Sequence, residues 1–125
     1  DTRVAVVVSW SGLTDLNGFA QQPEFGTQYL GCAARSCPEL AADASPIAHL
    51  DPSDSPMLLI NAADDPITPA AQATTMDAAL GAARINHEVV VVPGSAHATV
   101  LAPDVWDTTL AYLTRYLEPN ASTVR

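Results

Sequence analysis

The stretch Met57-Leu58-Leu59-Ile60-Asn61-Ala62-Ala63-Asp64-Asp65-Pro66-Ile67-Thr68-Pro69 carries the fold. Residues 57–60 are apolar without polar alternation, as in a strand buried on both faces of a parallel sheet. Two carboxylates follow, then Thr68-Pro69, where a threonine can cap a helix and a proline can occupy its first turn. Ala73, Met76, Leu80 and Ala83 then recur on one helical stripe. The sequence therefore predicts strand, acidic loop, helix. In open α/β sheets, ligands gather beyond the carboxyl ends of the strands, which is where these carboxylates fall.

Working outward, residues 4–10 and 88–92 are further short apolar runs rich in β-branched residues, and both predict buried strands. A second helix is predicted from near Pro103, with Trp106, Leu110, Leu113 and Leu117 as its apolar stripe and an end before Pro119. Met76 and Trp106, both on helix stripes, are expected in the core. The order strand, excursion, strand, helix, strand, helix predicts an α/β fold of about three adjacent parallel strands with flanking helices. Residues 11–55 form an excursion holding Pro23, Pro38, Pro46 and Pro52, with short helical patches at 25–30 and 37–44. It is longer than an ordinary αβ connection, and such loops often carry binding surface. Residues 1–118 are expected to be one portion of a domain, and residues 119–125 a tail.

Composition narrows the function. The chain has 125 residues, 48% of them hydrophobic and 15% charged, which is the balance of a folded chain. Fourteen acidic residues face five arginines and no lysine, for a formal charge of −9, so nucleic acid is not an expected partner. No apolar run approaches the roughly 18 residues needed to span a bilayer. Cys32 and Cys37 lack the second pair that would complete a zinc site, and no metal is expected. A short-loop disulfide and two free thiols fit this spacing equally, and a disulfide would imply an extracytoplasmic setting. The start at Asp1, directly before an apolar strand, is expected to be a cut within something longer.

Chemistry concentrates after two of the three strands. Asp64 and Asp65 follow the 57–60 run, and Pro93-Gly94-Ser95-Ala96-His97 follows the 88–92 run. An acid and an imidazole on neighbouring loops can meet while lying far apart in sequence. A buried carboxylate bonded to one ring nitrogen fixes the tautomer and leaves the other nitrogen as a general base. Asp64 is expected to be a turn residue, and His49 and His87 surface or packing residues. The turn at Asp51-Pro52-Ser53-Asp54 lacks the sharp glycine and bidentate glutamate of a calcium loop. Trp10, Ser11 and Ile67, which follow strand ends, are weak candidates for lining a substrate pocket.

Residues 58–69 resemble the α/β-hydrolase segment L-L-[IV]-H-G-x-x-D-x-x-V-P. Residues 93–97 resemble that family's P-G-x-x-H loop, and Ala44-Ser45-Pro46-Ile47 matches an A-S-P-[IV] stretch. Asn61-Ala62 stands for the usual His-Gly and Thr68 for the usual Val. The resemblance covers nearly the whole chain and is strongest to the esterase and lipase branch related to feruloyl esterases and carboxylesterases, with prolyl-oligopeptidase-like peptidases as relatives. It implies the C-terminal half of an α/β-hydrolase sheet that supplies Asp65 as acid and His97 as base of a Ser-Asp-His triad acting on an ester without a cofactor. In this family the nucleophile sits in a Gly-x-Ser-x-Gly elbow ahead of both. The sequence contains no such elbow; Ser11 in Ser9-Trp10-Ser11-Gly12 lacks its first glycine, and Ser95 lies too near His97. The isolated chain is thus expected to be inactive, with the nucleophile and oxyanion hole in a missing N-terminal half. A peptidase fragment and a non-catalytic half-domain acting by assembly or ligand binding are the alternatives. Val4, Ala5, Val6, Val7 and Val8 would then form an unpaired strand edge prone to self-association.

Overall fold

The computed structural model describes residues 3–18 and 23–118, with the side chains of residues 23–26 left aside. The tail at 119–125 lies outside the described residues. Three parallel strands form one sheet in the order β1-β2-β3: β1 Val7–Trp10, β2 Met57–Ala62 and β3 His87–Val92. Between β1 and β2 lie α1 Pro23–Leu30 and α2 Pro38–Asp43, with 3-10 turns at Ala34–Ser36 and Pro46–His49. Helix α3 Ala71–Ala82 connects β2 to β3, and a 3-10 turn at Ala98–Leu101 leads into α4 Ala102–Leu117.

The period of two along β2 builds the core. Leu58, Ile60 and Ala62 face α4 and pack with Leu101, Val105 and Tyr112. Leu59 faces the other way, onto Ala73, Met76 and Leu80 of α3 and onto Ile85. Only β2 is buried on both faces, because β1 and β3 are the outer strands among the described residues.

Three expectations need correction. The first strand opens at Val7 rather than Val4. Register pairs Val7 with Met57, so earlier residues would face Pro56, which has no N–H for the ladder. Thr68 does not cap α3, which begins at Ala71 with no side-chain cap. The N-cap position is Ala70, two residues beyond Thr68, and the turn before it is held by the Asp65 carboxylate, which accepts the Ile67 and Thr68 N–H groups. Helix α4 lies about one residue further round than predicted: Val105, Thr109 and Tyr112 are buried, while Trp106, Leu110 and Leu117 are exposed. The Thr109 hydroxyl accepts the Trp10 indole N–H at 3.0 Å, which fixes that rotation. Trp106, expected in the core, is half exposed and meets Trp10 edge-on at a ring separation of 6.1 Å. Among the described residues no helix is long and apolar enough to cross a membrane.

Candidate active site

The strand ends bring three loops together. Beyond β2 the chain turns through Ala63 and Asp64, whose N–H groups donate to the carbonyls of Val92 and Gly94 at 2.8 and 2.9 Å. These bonds zip the acidic loop to the loop after β3. Gly94 sits at φ 97°, a left-handed turn that glycine adopts at no steric cost. Asp64 points outward and is exposed, whereas Asp65 turns inward and is only 6% exposed.

A buried carboxylate needs donors, and Asp65 has four. Oδ1 accepts the N–H groups of Ile67 at 2.8 Å and Thr68 at 2.9 Å. Oδ2 accepts the Ser11 hydroxyl at 2.8 Å and the His97 Nδ1–H at 2.9 Å. Burial pushes this carboxyl group up, but the hydrogen bonds from Thr68, His97, Ile67 and Ser11 together outweigh it and hold Asp65 below the usual carboxylate range. An ionised Asp65 assigns the proton on Nδ1 of His97 and leaves Nε2 as the nitrogen able to receive one. The His97 side chain is 30% exposed, so the ring is reachable from outside.

In front of His97 is a cavity of about 470 Å³ lined mainly by apolar groups, among them Leu13, Leu16, Leu30, Pro46 and Ile67. Most of its wall comes from the excursion, which has a small core of its own built from Leu16, Ala34 and Ala41 with Leu13 and Leu30 packed on them. Cys32 and Cys37 form a disulfide between α1 and α2, resolving the two readings of that pair. Gln72 of α3 latches the excursion to the sheet. Its Oε1 accepts the N–H groups of Thr14 at 2.9 Å and Asp15 at 2.8 Å, and its Nε2 donates to the Asp15 carbonyl at 3.0 Å. Within the excursion, Ser45 ties its two ends together by accepting the Leu16 N–H at 2.9 Å.

The structure thus brings Asp65, His97, Ser11 and Ile67 together. Trp10 goes elsewhere, because with Val6 and Val8 it lies on the α4 face of the sheet. His49 and His87 lie away from the site, bonded to the Asp43 carbonyl and to Asp77. The Asp51–Asp54 turn closes on itself, with Asp51 accepting from Ser53 and Asp54 accepting the Asp51 N–H. Among the described residues no three potential metal ligands converge. Sequence reasoning gave no role to Gln72, whose polar side chain at a buried helix position was the available signal. It also missed the bond between Ser11 and Asp65, although Ser11 stands directly after a strand.

Residues 1–80 match the family profile described as BD-FAE. No curated protein sequence matches the chain. Among solved structures it is similar to a truncated carbohydrate esterase from gut microbiota, with a TM-score of 0.79 and 22% identity over 90% of this chain and 42% of that one. It is also similar to a puromycin-hydrolysing peptidase of Mycobacterium tuberculosis, with a TM-score of 0.73 and 25% identity over 90% of this chain and 18% of that one. An acylaminoacyl peptidase gives a TM-score of 0.77 at 15% identity, over 94% of this chain and 21% of that one. The chain therefore spans less than half the length of each of these proteins. A parallel sheet with an acid and a histidine at its carboxyl edge, a match over residues 1–80 and these shared folds converge on one assignment: the chain belongs to the BD-FAE family and has the α/β-hydrolase fold.

Proposed function

We propose that residues 1–118 are the C-terminal portion of one serine-hydrolase domain acting on carboxylic esters, in which Asp65 is the acid and His97 the general base. The single observation that carries this reading is the 2.9 Å bond from His97 Nδ1 to an Asp65 carboxylate held ionised by three further donors. With Nδ1 so engaged, Nε2 can take the proton of a serine hydroxyl as it attacks an ester carbonyl, then return it to the departing alcohol. Asp65 keeps the tautomer correct and stabilises the imidazolium formed in between. The nucleophile and the oxyanion hole are supplied by residues outside these 125, since no Gly-x-Ser-x-Gly elbow occurs in them.

The esterase-like family match favours ester substrates, and the apolar cavity before His97 suits an uncharged ester group. A peptidase reading draws on the 25% identity to the puromycin-hydrolysing peptidase, and it predicts turnover of aminoacyl amides in place of esters. The free edge of β1 is completed by a strand from the rest of the domain; residues 1–125 alone self-associate through it. The Cys32–Cys37 disulfide supports an extracytoplasmic location.

A fluorophosphonate probe tests the reading. The full-length protein should hydrolyse 4-nitrophenyl acetate and be labelled on a serine outside residues 1–125, while residues 1–125 alone should do neither. Labelling of a serine within these residues, or esterase activity of residues 1–125 abolished by His97→Ala, would refute it.

A further inference from the structure

Ser11 stands one residue beyond β1, the strand end at which the sequence shows no chemistry. Its hydroxyl makes two bonds to two different loops. It donates to Oδ2 of Asp65 at 2.8 Å, the same oxygen that accepts His97 Nδ1–H, and it accepts the backbone N–H of Ala98 at 3.0 Å. The hydroxyl proton is thus committed to the acid, and the oxygen lone pair to the residue that follows the histidine.

The backbone supports a role beyond packing. Ser11 holds φ 53° and Ala98 holds φ 49°, two of the three left-handed non-glycine residues among those described. Non-glycine residues seldom hold this conformation, and where they do the surrounding structure must enforce it, often at functional sites. Here the two left-handed residues are hydrogen-bonded to each other across 87 positions of sequence, on either side of the Asp65–His97 pair. The Ser11 N–H still completes the ladder to the Ile60 carbonyl at 2.8 Å, so the residue is anchored to the sheet while its side chain turns out of the strand alternation. Ser11 is 7% exposed, which shields both bonds from competing water.

We propose that Ser11 is a positioning residue of this site, whose hydroxyl locks the Asp65 carboxylate and the chain after His97 into one geometry across all three strand ends. This rests on the assignment of Asp65 and His97 as acid and base. Without the hydroxyl, Asp65 keeps three donors but loses the one that fixes Oδ2 towards the imidazole, and the Ala98 N–H loses its acceptor. The imidazole then spends less time aligned for proton transfer. Ser11 is itself one of the residues lining the cavity, but the rest of the wall is untouched, so substrate binding changes less than turnover.

Ser11→Ala and Ser11→Gly in the full-length protein separate the hydroxyl from the backbone. Both remove the bonds, but glycine adopts φ 53° at no steric cost whereas alanine is strained there. With 4-nitrophenyl acetate, kcat should fall on the order of ten-fold in both variants, as expected for one hydrogen bond to a charged group, with KM changed less than kcat. The downfield proton resonance of His97 Nδ1–H should broaden in both, even where Ser11→Gly melts at the higher temperature. A wild-type kcat in Ser11→Gly, or a loss confined to KM, would overturn the proposal. His97→Ala, measured beside them, distinguishes the failures: if it abolishes turnover while Ser11→Gly keeps the wild-type kcat, only the Ser11 role falls, and if it leaves turnover intact, the acid and base assignment falls and takes Ser11 with it.

Discussion

At the carboxyl edge of the sheet, Asp65 receives four hydrogen bonds and His97 is oriented by one of them. The excursion beside it is held by a three-residue apolar core, a disulfide, an internal Leu16–Ser45 bond and a latch to Gln72. The polar edge takes its geometry from β1, β2 and β3 together, so chemistry there depends on the whole sheet. The excursion has a small core of its own, rests on the α3 side of the sheet through Ile47 and Leu50, and walls the cavity; of its described residues, Ser11 at its root bonds Asp65. Changes at the edge should therefore act on turnover, and changes in the excursion on substrate binding and local stability.

The largest expected effect is at the edge. Asp65→Asn leaves the carboxyl shape but can present an amide N–H to His97 and favour the wrong tautomer, so kcat in the full-length protein should drop on the order of 10⁴-fold with KM nearly unchanged. Steady-state kinetics with 4-nitrophenyl acetate measures this. Gln72→Ala sharpens the contrast from the other side. It strands the Thr14 and Asp15 N–H groups and should cost about 2–3 kcal/mol in urea unfolding, raising KM while sparing kcat. Replacing Cys32 and Cys37 by serine should cost about 2 kcal/mol or less, because the loop it closes is short, and should raise KM a few-fold.

The smallest effect is on acid stability. Because the folded state holds the Asp65 carboxyl below its ordinary value, its ionised form stabilises the fold above the unfolded value, about pH 4, and that contribution is lost as pH falls through the folded value. The stability gap between the wild type and Asp65→Asn should accordingly narrow below about pH 4, as read by urea midpoints across pH.

Much of the edge was legible from residues 57–69 and 93–97, because a buried strand, a tight loop and a helix start leave short-range signals. The burial of Ala73, Met76 and Leu80 followed from their spacing in the same way. Helix α4 was harder, since Val105, Thr109, Tyr112 and Tyr116 compete with Trp106, Leu110, Leu113 and Leu117 as faces. A threonine in the buried set hides its role until the Trp10 indole is seen to donate to it. The start of β1 depended on where Pro56 falls in the register, and the Gln72 latch joins residues 57 and 58 positions apart. Such long-range polar pairs leave no periodic trace in a sequence.

The role we propose for His97, oriented by Asp65, is that of the base in an ester hydrolase. Its most direct test is kcat/KM for 4-nitrophenyl acetate in the full-length protein and in His97→Ala, with folding checked by near-ultraviolet circular dichroism. The variant should be folded and slowed by at least about 10³-fold. A folded His97→Ala protein within ten-fold of wild type would contradict it.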